Sequence, residues 1–227
     1  MKRVITALVA VLLALSLAAC GSRVETKKLA GTWTCTVDVT DRMNAAAEQA
    51  LGLSAADGAA KMPLQLVLTV TEDGAYTLRY DSDAARTALD AYAAALRPAA
   101  VESVYAAAEE QGLSREEYDA AMEKAGITMD DMVAAIFAGV DEEELLSLLT
   151  GRSAALTGYC RAEGGQLYLA DTAADLAETA DCLSYTLSDG TMTWTDAQGE
   201  LSSRLTEQEQ ELLRVPLTWT KQVEESK

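Results

Sequence analysis

Residues 183–196 read LSYTLSDGTMTWTD. Two runs rich in β-branched and aromatic residues, 183–188 and 191–196, flank Asp189-Gly190. That dipeptide favours a two-residue hairpin turn, because both of its residues accept positive φ. The pattern recurs outward. LTGYCRA (156–162) and QLYLA (166–170) flank Glu163-Gly164-Gly165, and LQLVLTVT (64–71) and AYTLRYD (75–81) flank Glu72-Asp73-Gly74. GTWTCTVDVT (31–40) alternates, with Trp33, Cys35, Val37 and Val39 on one face and Thr34, Thr36, Asp38 and Thr40 on the other. VPLTWTKQV (215–223) closes the set. Eight short strands, six of them in three hairpins, predict an antiparallel up-and-down barrel, an architecture that leaves no exposed sheet edge.

Barrel closure makes the first and last strands neighbours. Trp33, Trp194 and Trp219 then stand on three adjacent strands. They either plug the interior or form a ligand-contacting wall, since eight strands enclose a space that side chains alone can fill. Tyr76, Tyr80, Tyr159, Tyr168 and Tyr185 also fall in strands, and their hydroxyls need partners when buried. The candidate ligand-contacting set is Trp33, Tyr76, Tyr80, Tyr185, Trp194 and Trp219.

Between the third and fourth strands the composition changes. Residues 83–150 are rich in Ala, Leu, Met, Glu and Asp, with few β-branched residues, and predict a helical insertion. A first helix is expected over 83–96, with Pro98 opening a second that runs to about Gln111. Three further starts follow a short repeat at Gly112, Gly126 and Gly139. Each glycine suits a left-handed helix end. Each is followed by an N-cap (Ser114, Thr128, Asp141) and by an acid three residues later (Glu117, Asp131, Glu144). Leu113, Ile127 and Val140 precede these caps as hydrophobic staples toward Tyr118, Met132 and Leu145. Met122, Met129, Met132, Val133, Ile136, Phe137, Leu145, Leu146, Leu148 and Leu149 form the apolar face, either a mini-core or a Met-rich lid. A shorter helix is expected at 43–52, and 171–181 and 204–214 have local helical character.

The chain has 227 residues, 36 Asp+Glu against 18 Lys+Arg, a formal charge of −18 and no histidine. Phosphate binding needs concentrated Lys and Arg, so nucleic acid is excluded as a partner. Without histidine there is no Ser-His-Asp or Cys-His catalysis and no His-containing metal site. The insertion carries fifteen acids against four bases over 83–150. The clusters Asp130-Asp131 and Asp141-Glu142-Glu143-Glu144 sit at helix N-termini, where the helix dipole favours them, and no calcium-loop pattern appears. No catalytic residue, metal ligand or cofactor is assigned, and the reading is of a non-enzymatic protein.

Lys2 and Arg3 precede sixteen residues, Val4 to Ala19, interrupted only by Thr6 and Ser16. That is short of the roughly twenty apolar residues that span a bilayer, and it suits the core of a secretory signal peptide. It ends in Leu17-Ala18-Ala19-Cys20, which resembles a bacterial lipobox. The resemblance implies a diacylglycerol on the Cys20 thiol and cleavage before it. Two acyl chains then give a stable tether, each buried CH2 contributing about 0.8 kcal/mol. Cleavage removes two bases and no acid, taking the charge from −18 to −20. Such a body is repelled by anionic lipid. Cys35, Cys160 and Cys182 remain, an odd number, so one disulfide leaves one thiol over; small core-filling cysteines are the simpler expectation.

Gly31-Thr32-Trp33 near the start of the mature chain is similar to the G-x-W of lipocalin-like barrels. With EDGAYTLRY, EGGQLYL and YTLSDGTMTWT in that order, the chain resembles the small lipocalin-like lipoproteins of Gram-positive bacteria. The resemblance implies a barrel and, loosely, binding of small apolar molecules. The expected organisation is a signal peptide over 1–19, a lipidated Cys20 and spacer over 20–28, a barrel from 29–82 and 152–227, and a helical insertion over 83–151. The fold class is mainly β with an α insertion. The expected location is the extracytoplasmic face of the cell membrane, with the bilayer as partner through Cys20. Two functions remain: a monomeric binder of a small apolar ligand, or an interaction lipoprotein that presents its acidic insertion to a protein partner.

Overall fold

The computed structural model describes residues 25–53, 60–138, 145, 155–179, 181–198 and 207–223. The expected signal peptide over 1–19, Cys20, the third expected capped start at Gly139 and the leucines at 146, 148 and 149 lie outside those residues. By internal contacts the chain divides into two compact units. The first is built from residues up to 35, 65–80 and 154 onward, and the second from 36–64 and 81–153.

The strands are β1 (Gly31–Asp38), β2 (Pro63–Val70), β3 (Ala75–Tyr80), β4 (Leu156–Glu163), β5 (Gln166–Ala170), β6 (Cys182–Ser188), β7 (Thr191–Gln198) and β8 (Leu217–Lys221). They close into one antiparallel barrel in the order β1-β2-β3-β4-β5-β6-β7-β8, the architecture predicted for the sequence. The turn chemistry explains the hairpins. Asp189 and Gly190 take φ of 44° and 77°, and Gly164 and Gly165 take 58° and 78°, the paired positive φ values of a primed turn. β3 and β4 are neighbours although residues 81–155 separate them, with Leu78 opposite Leu156 and Tyr76 opposite Gly158.

Trp33 anchors the first strand. Its indole Nε1 donates to the Leu29 carbonyl at 2.8 Å, and Lys221 Nζ stands 5.2 Å from the centre of its ring system. Gly31 makes room for this, because a Cβ there would come within 2.8 Å of Lys221 Cε. The chain before β1 is fixed by two further bonds. Ala162 N donates to Thr26 Oγ1 at 3.0 Å, and Gly164 N donates to Glu25 Oε2 at 2.9 Å.

The second unit holds helices α1 (Thr40–Leu51), α2 (Ser82–Glu110), α3 (Arg115–Ala125) and α4 (Met129–Phe137). Asp81 caps α2 by accepting from the amides of Asp83 and Ala84. The expected break at Pro98 does not occur. α2 runs 29 residues through it, forgoing one backbone bond. Leu96, Ala100, Val104 and Ala108 continue the buried stripe of Ala85, Leu89 and Tyr92, so side-chain burial outweighs the local proline signal.

Ser114 with Glu117 and Thr128 with Asp131 form reciprocal capping boxes, and Gly126 ends α3 in the left-handed conformation. The staples are weak in fact. Leu113 and Ile127 stay 38% and 43% exposed, because α3 buries only Met122 and offers little apolar surface to cover them. Val133 packs with Leu53 and Ala100, and Met129, Ile136 and Phe137 gather round that centre, which makes the apolar face a mini-core of this unit. Arg115 clamps Glu102 through both terminal nitrogens, at 2.6 and 3.2 Å, and lies 4.6 Å over the Tyr105 ring. Arg97 pairs with Asp130. These exposed pairs orient the helices more than they stabilise them.

A final helix, α5 (Glu207–Leu212), precedes β8 in the barrel unit, and a 3-10 turn covers Asp175–Ala177. No helix among the described residues is long and apolar enough to cross a membrane.

Candidate functional site: an aromatic barrel wall and an apolar helical cavity

Residues opposite one another in register share a face of the sheet, as do alternate residues along a strand. Lys221 stands opposite Trp33, Met192 opposite Trp219, Leu217 opposite Trp194 and Trp194 opposite Tyr185. Leu183 then stands opposite Leu167, Ala162 opposite Leu167, and Gly158 opposite Tyr76. Tyr80 follows Tyr76 and Leu78 on alternate positions of β3, opposite Leu66. All six candidate residues therefore belong to one face, the inner one. Trp33 and Trp219 are fully buried and Trp194 nearly so, whereas Tyr76, Tyr80 and Tyr185 are half-buried.

The alternation survives an irregularity. Register shifts between Ser184 and Tyr185, where β7 carries Thr195 as an extra residue. The bulge brings Trp194 rather than Thr195 opposite Tyr185.

Trp194 and Trp219 form the centre of the wall, with ring centroids 4.8 Å apart and planes tilted by 48°. Neither indole N–H meets an acceptor among the described residues, although both are buried. A buried donor without a partner carries a desolvation cost of about 1–3 kcal/mol. Trp33, by contrast, is satisfied by Leu29. Tyr76 packs over Gly158, where a Cβ would lie 2.8 Å from the phenol oxygen and 2.6 Å from the Ala170 carbonyl. The Tyr185 hydroxyl is harder to ionise than usual, first because of burial and then because of the nearby Glu25 and Cys160.

The three cysteines after Cys20 are free thiols, all buried. Cys160 stands opposite Leu169, and Cys182 opposite the adjacent Tyr168, so these two point to opposite faces and cannot bridge. Burial pushes the Cys160 thiol up to about 12, and burial also raises Cys35 and Cys182. None has the electropositive setting of a reactive thiolate.

A second feature escaped sequence reading. Within the helical unit, α1 and α2 flank an open, largely apolar cavity of about 240 Å³, walled by residues such as Met43, Ala47, Leu89, Leu96, Phe137 and Leu145. Its signal was present as alanine at 46, 47, 50 and 93, four small side chains facing one space. In sequence those alanines read only as helix formers.

Compared with protein-family models, with curated proteins and with solved structures, the chain matches none.

Proposed function

We propose that the chain is a non-enzymatic lipoprotein, held at the extracytoplasmic face of the membrane by an acylated Cys20, that binds a small apolar ligand against the inner wall of its lipocalin-like barrel. The observation that carries this reading is the pair of buried indole N–H groups of Trp194 and Trp219, without acceptors among the described residues, on a wall that also holds Tyr76, Tyr80 and Tyr185. A mostly apolar pocket with a few convergent donors is the composition of a small-molecule site. A ligand oxygen reaching either indole would relieve the desolvation cost.

Native mass spectrometry of residues 21–227, exported from a related host, tests the proposal. A mass above that of the chain, removed by organic extraction, is the expected result. Exchange of the extracted compound should change the Trp fluorescence, and Trp194→Phe should weaken its binding. A Cys20→Ser chain should leave the membrane fraction; retention after signal removal would sink the tether.

One observation favours a second reading. Trp33, Met192 and Trp219 are fully buried, as in an interior packed by its own side chains. A chain mass with nothing extractable would favour a filled barrel that presents its acidic insertion to a protein partner.

A further inference from the structure

The cavity between α1 and α2 has its own chemistry, independent of the barrel wall. Its volume of about 240 Å³ is at the low end for ligand pockets, so its occupant is small. Most of the lining is hydrocarbon, which suits the apolar body of a small ligand. Two aromatic rings belong to it, Tyr92 and Phe137. The Tyr92 hydroxyl is engaged by Asn44 Oδ1 at 2.7 Å, which leaves the ring as its contribution to the wall. The only charged lining residue among those described is Asp90. It is exposed, and no ion pair or hydrogen bond holds its side chain among the described residues. No Lys or Arg contributes to the lining among the described residues.

From an aromatic and aliphatic wall with one unpaired carboxylate, we infer that this cavity is a binding site for a small lipophilic cation, an aryl- or alkylammonium of about a dozen non-hydrogen atoms or fewer. The apolar body rests on a mostly hydrocarbon wall. The ammonium gains the Asp90 carboxylate and two aromatic neighbours, Tyr92 and Phe137. The field of the chain acts in the same direction. Fifteen acids against four bases over residues 83–150 concentrate cations near this unit and exclude anions of similar shape. A carboxylate or sulfonate ligand would meet Asp90 with no compensating base.

The test uses the full chain, exported, processed and held in nanodiscs of neutral lipid, with empty discs as the blank. Titration calorimetry with benzyltrimethylammonium is compared with benzyl alcohol and phenylmethanesulfonate, which keep the ring and change the charge. Saturable binding of the cation at one site, weaker binding of the alcohol and none of the sulfonate is the expected order. Asp90→Asn should weaken the cation roughly fivefold and leave the alcohol unchanged. Ala93→Leu, at a half-buried position, should reduce both by roughly tenfold or more by occupying the space. Ala50→Leu, at an exposed position of the same wall, serves if the first filling variant does not fold. Equal affinity for cation and sulfonate, or filling variants that fold and bind as the parent does, would overturn the inference. These readouts belong to Asp90 and the alanines, so an empty barrel leaves them standing and a barrel ligand does not create them.

Discussion

Trp194 and Trp219 stand on adjacent strands with ring centroids 4.8 Å apart, both buried, and neither places its indole N–H on an acceptor among the described residues. Trp33, on the next strand round, is equally buried but donates to Leu29 at 2.8 Å. The three tryptophans should therefore respond differently to the same substitution. Trp194→Phe loses some contact area and also removes an unsatisfied donor, so its net cost should be within about 1 kcal/mol of zero. Trp33→Phe breaks a buried bond and strands a carbonyl, and should cost about 2–3 kcal/mol more. Urea unfolding of the two variants measures the difference. Equal costs would mean that the Trp194 indole finds an acceptor in solution.

Gly158 accepts Tyr76 across the strand pair at a distance no side chain would allow. Gly158→Ala must push the phenol aside and press on the Ala170 carbonyl, at a cost of about 1–3 kcal/mol. Gly158→Ala with Tyr76→Ala relieves one of the two clashes, so the pair should be less than additive in a double-mutant cycle.

Burial holds the Cys160 thiol protonated up to about 12 in the folded protein, against 9.0 for an ordinary thiol. Tyr92 and Tyr185 are shifted the same way. A raised folded-state value means that the contribution is fully present below the unfolded value and is lost as pH rises through the folded one. Melting temperature should therefore be insensitive to these groups below about pH 9 and fall steadily above it. In native buffer at neutral pH, iodoacetamide should leave Cys35, Cys160 and Cys182 unmodified, and reduction should not change the mass of residues 21–227. Rapid native labelling of Cys160 would contradict its burial.

The capping boxes make the opposite prediction at acid pH. Glu117 and Asp131 are held below the usual carboxylate range by the Ser114 and Thr128 bonds they accept. Depressed values contribute stability above the unfolded pKa that disappears as pH falls through the folded one. Helix content should thus decline below about pH 4, and Glu117→Gln with Asp131→Asn should flatten that decline. Ser114→Ala removes the cap itself, at about 1 kcal/mol.

Pro98 sits on the exposed side of α2, eleven or more residues from either end of a helix spanning Ser82–Glu110. Pro98→Ala restores an N–H to the helical ladder and removes the ring from the preceding turn. It should stabilise the helical unit by about 1–3 kcal/mol. A lower melting temperature would show that the proline is needed for packing around Leu96 and Ala100.

The strands were legible because two independent signals agreed: period-two alternation within each run, and glycine-bearing turns between them. The expected runs and β1–β8 differ by a residue or two at most ends. The grouping of Trp33, Trp194 and Trp219 followed from closure alone. The placement of Tyr185 opposite Trp194 did not, since a bulge at Thr195 decides it and nothing local marks that residue. Pro98 misled for the reverse reason. Its local signal is strong, but the buried stripe from Ala85 to Ala108 belongs to tertiary packing. The helical cavity was illegible because alanine reports helix propensity in sequence and reports space only when two helices meet.

The long excursion between β3 and β4 has a kinetic consequence. In an ordinary meander each hairpin closes locally, but Leu78 must find Leu156 across residues 81–155. Closing a flexible loop of that length costs a few kcal/mol more than closing a tight turn. During synthesis the first three strands emerge well before their partner, so the barrel waits with one seam open. Early formation of α2 and its neighbours would shorten that wait by drawing the two ends of the loop together. The helical unit would then set the rate at which the barrel zips shut, and weakening Asp81 or Arg115 should slow refolding more than it lowers the stability of the strands.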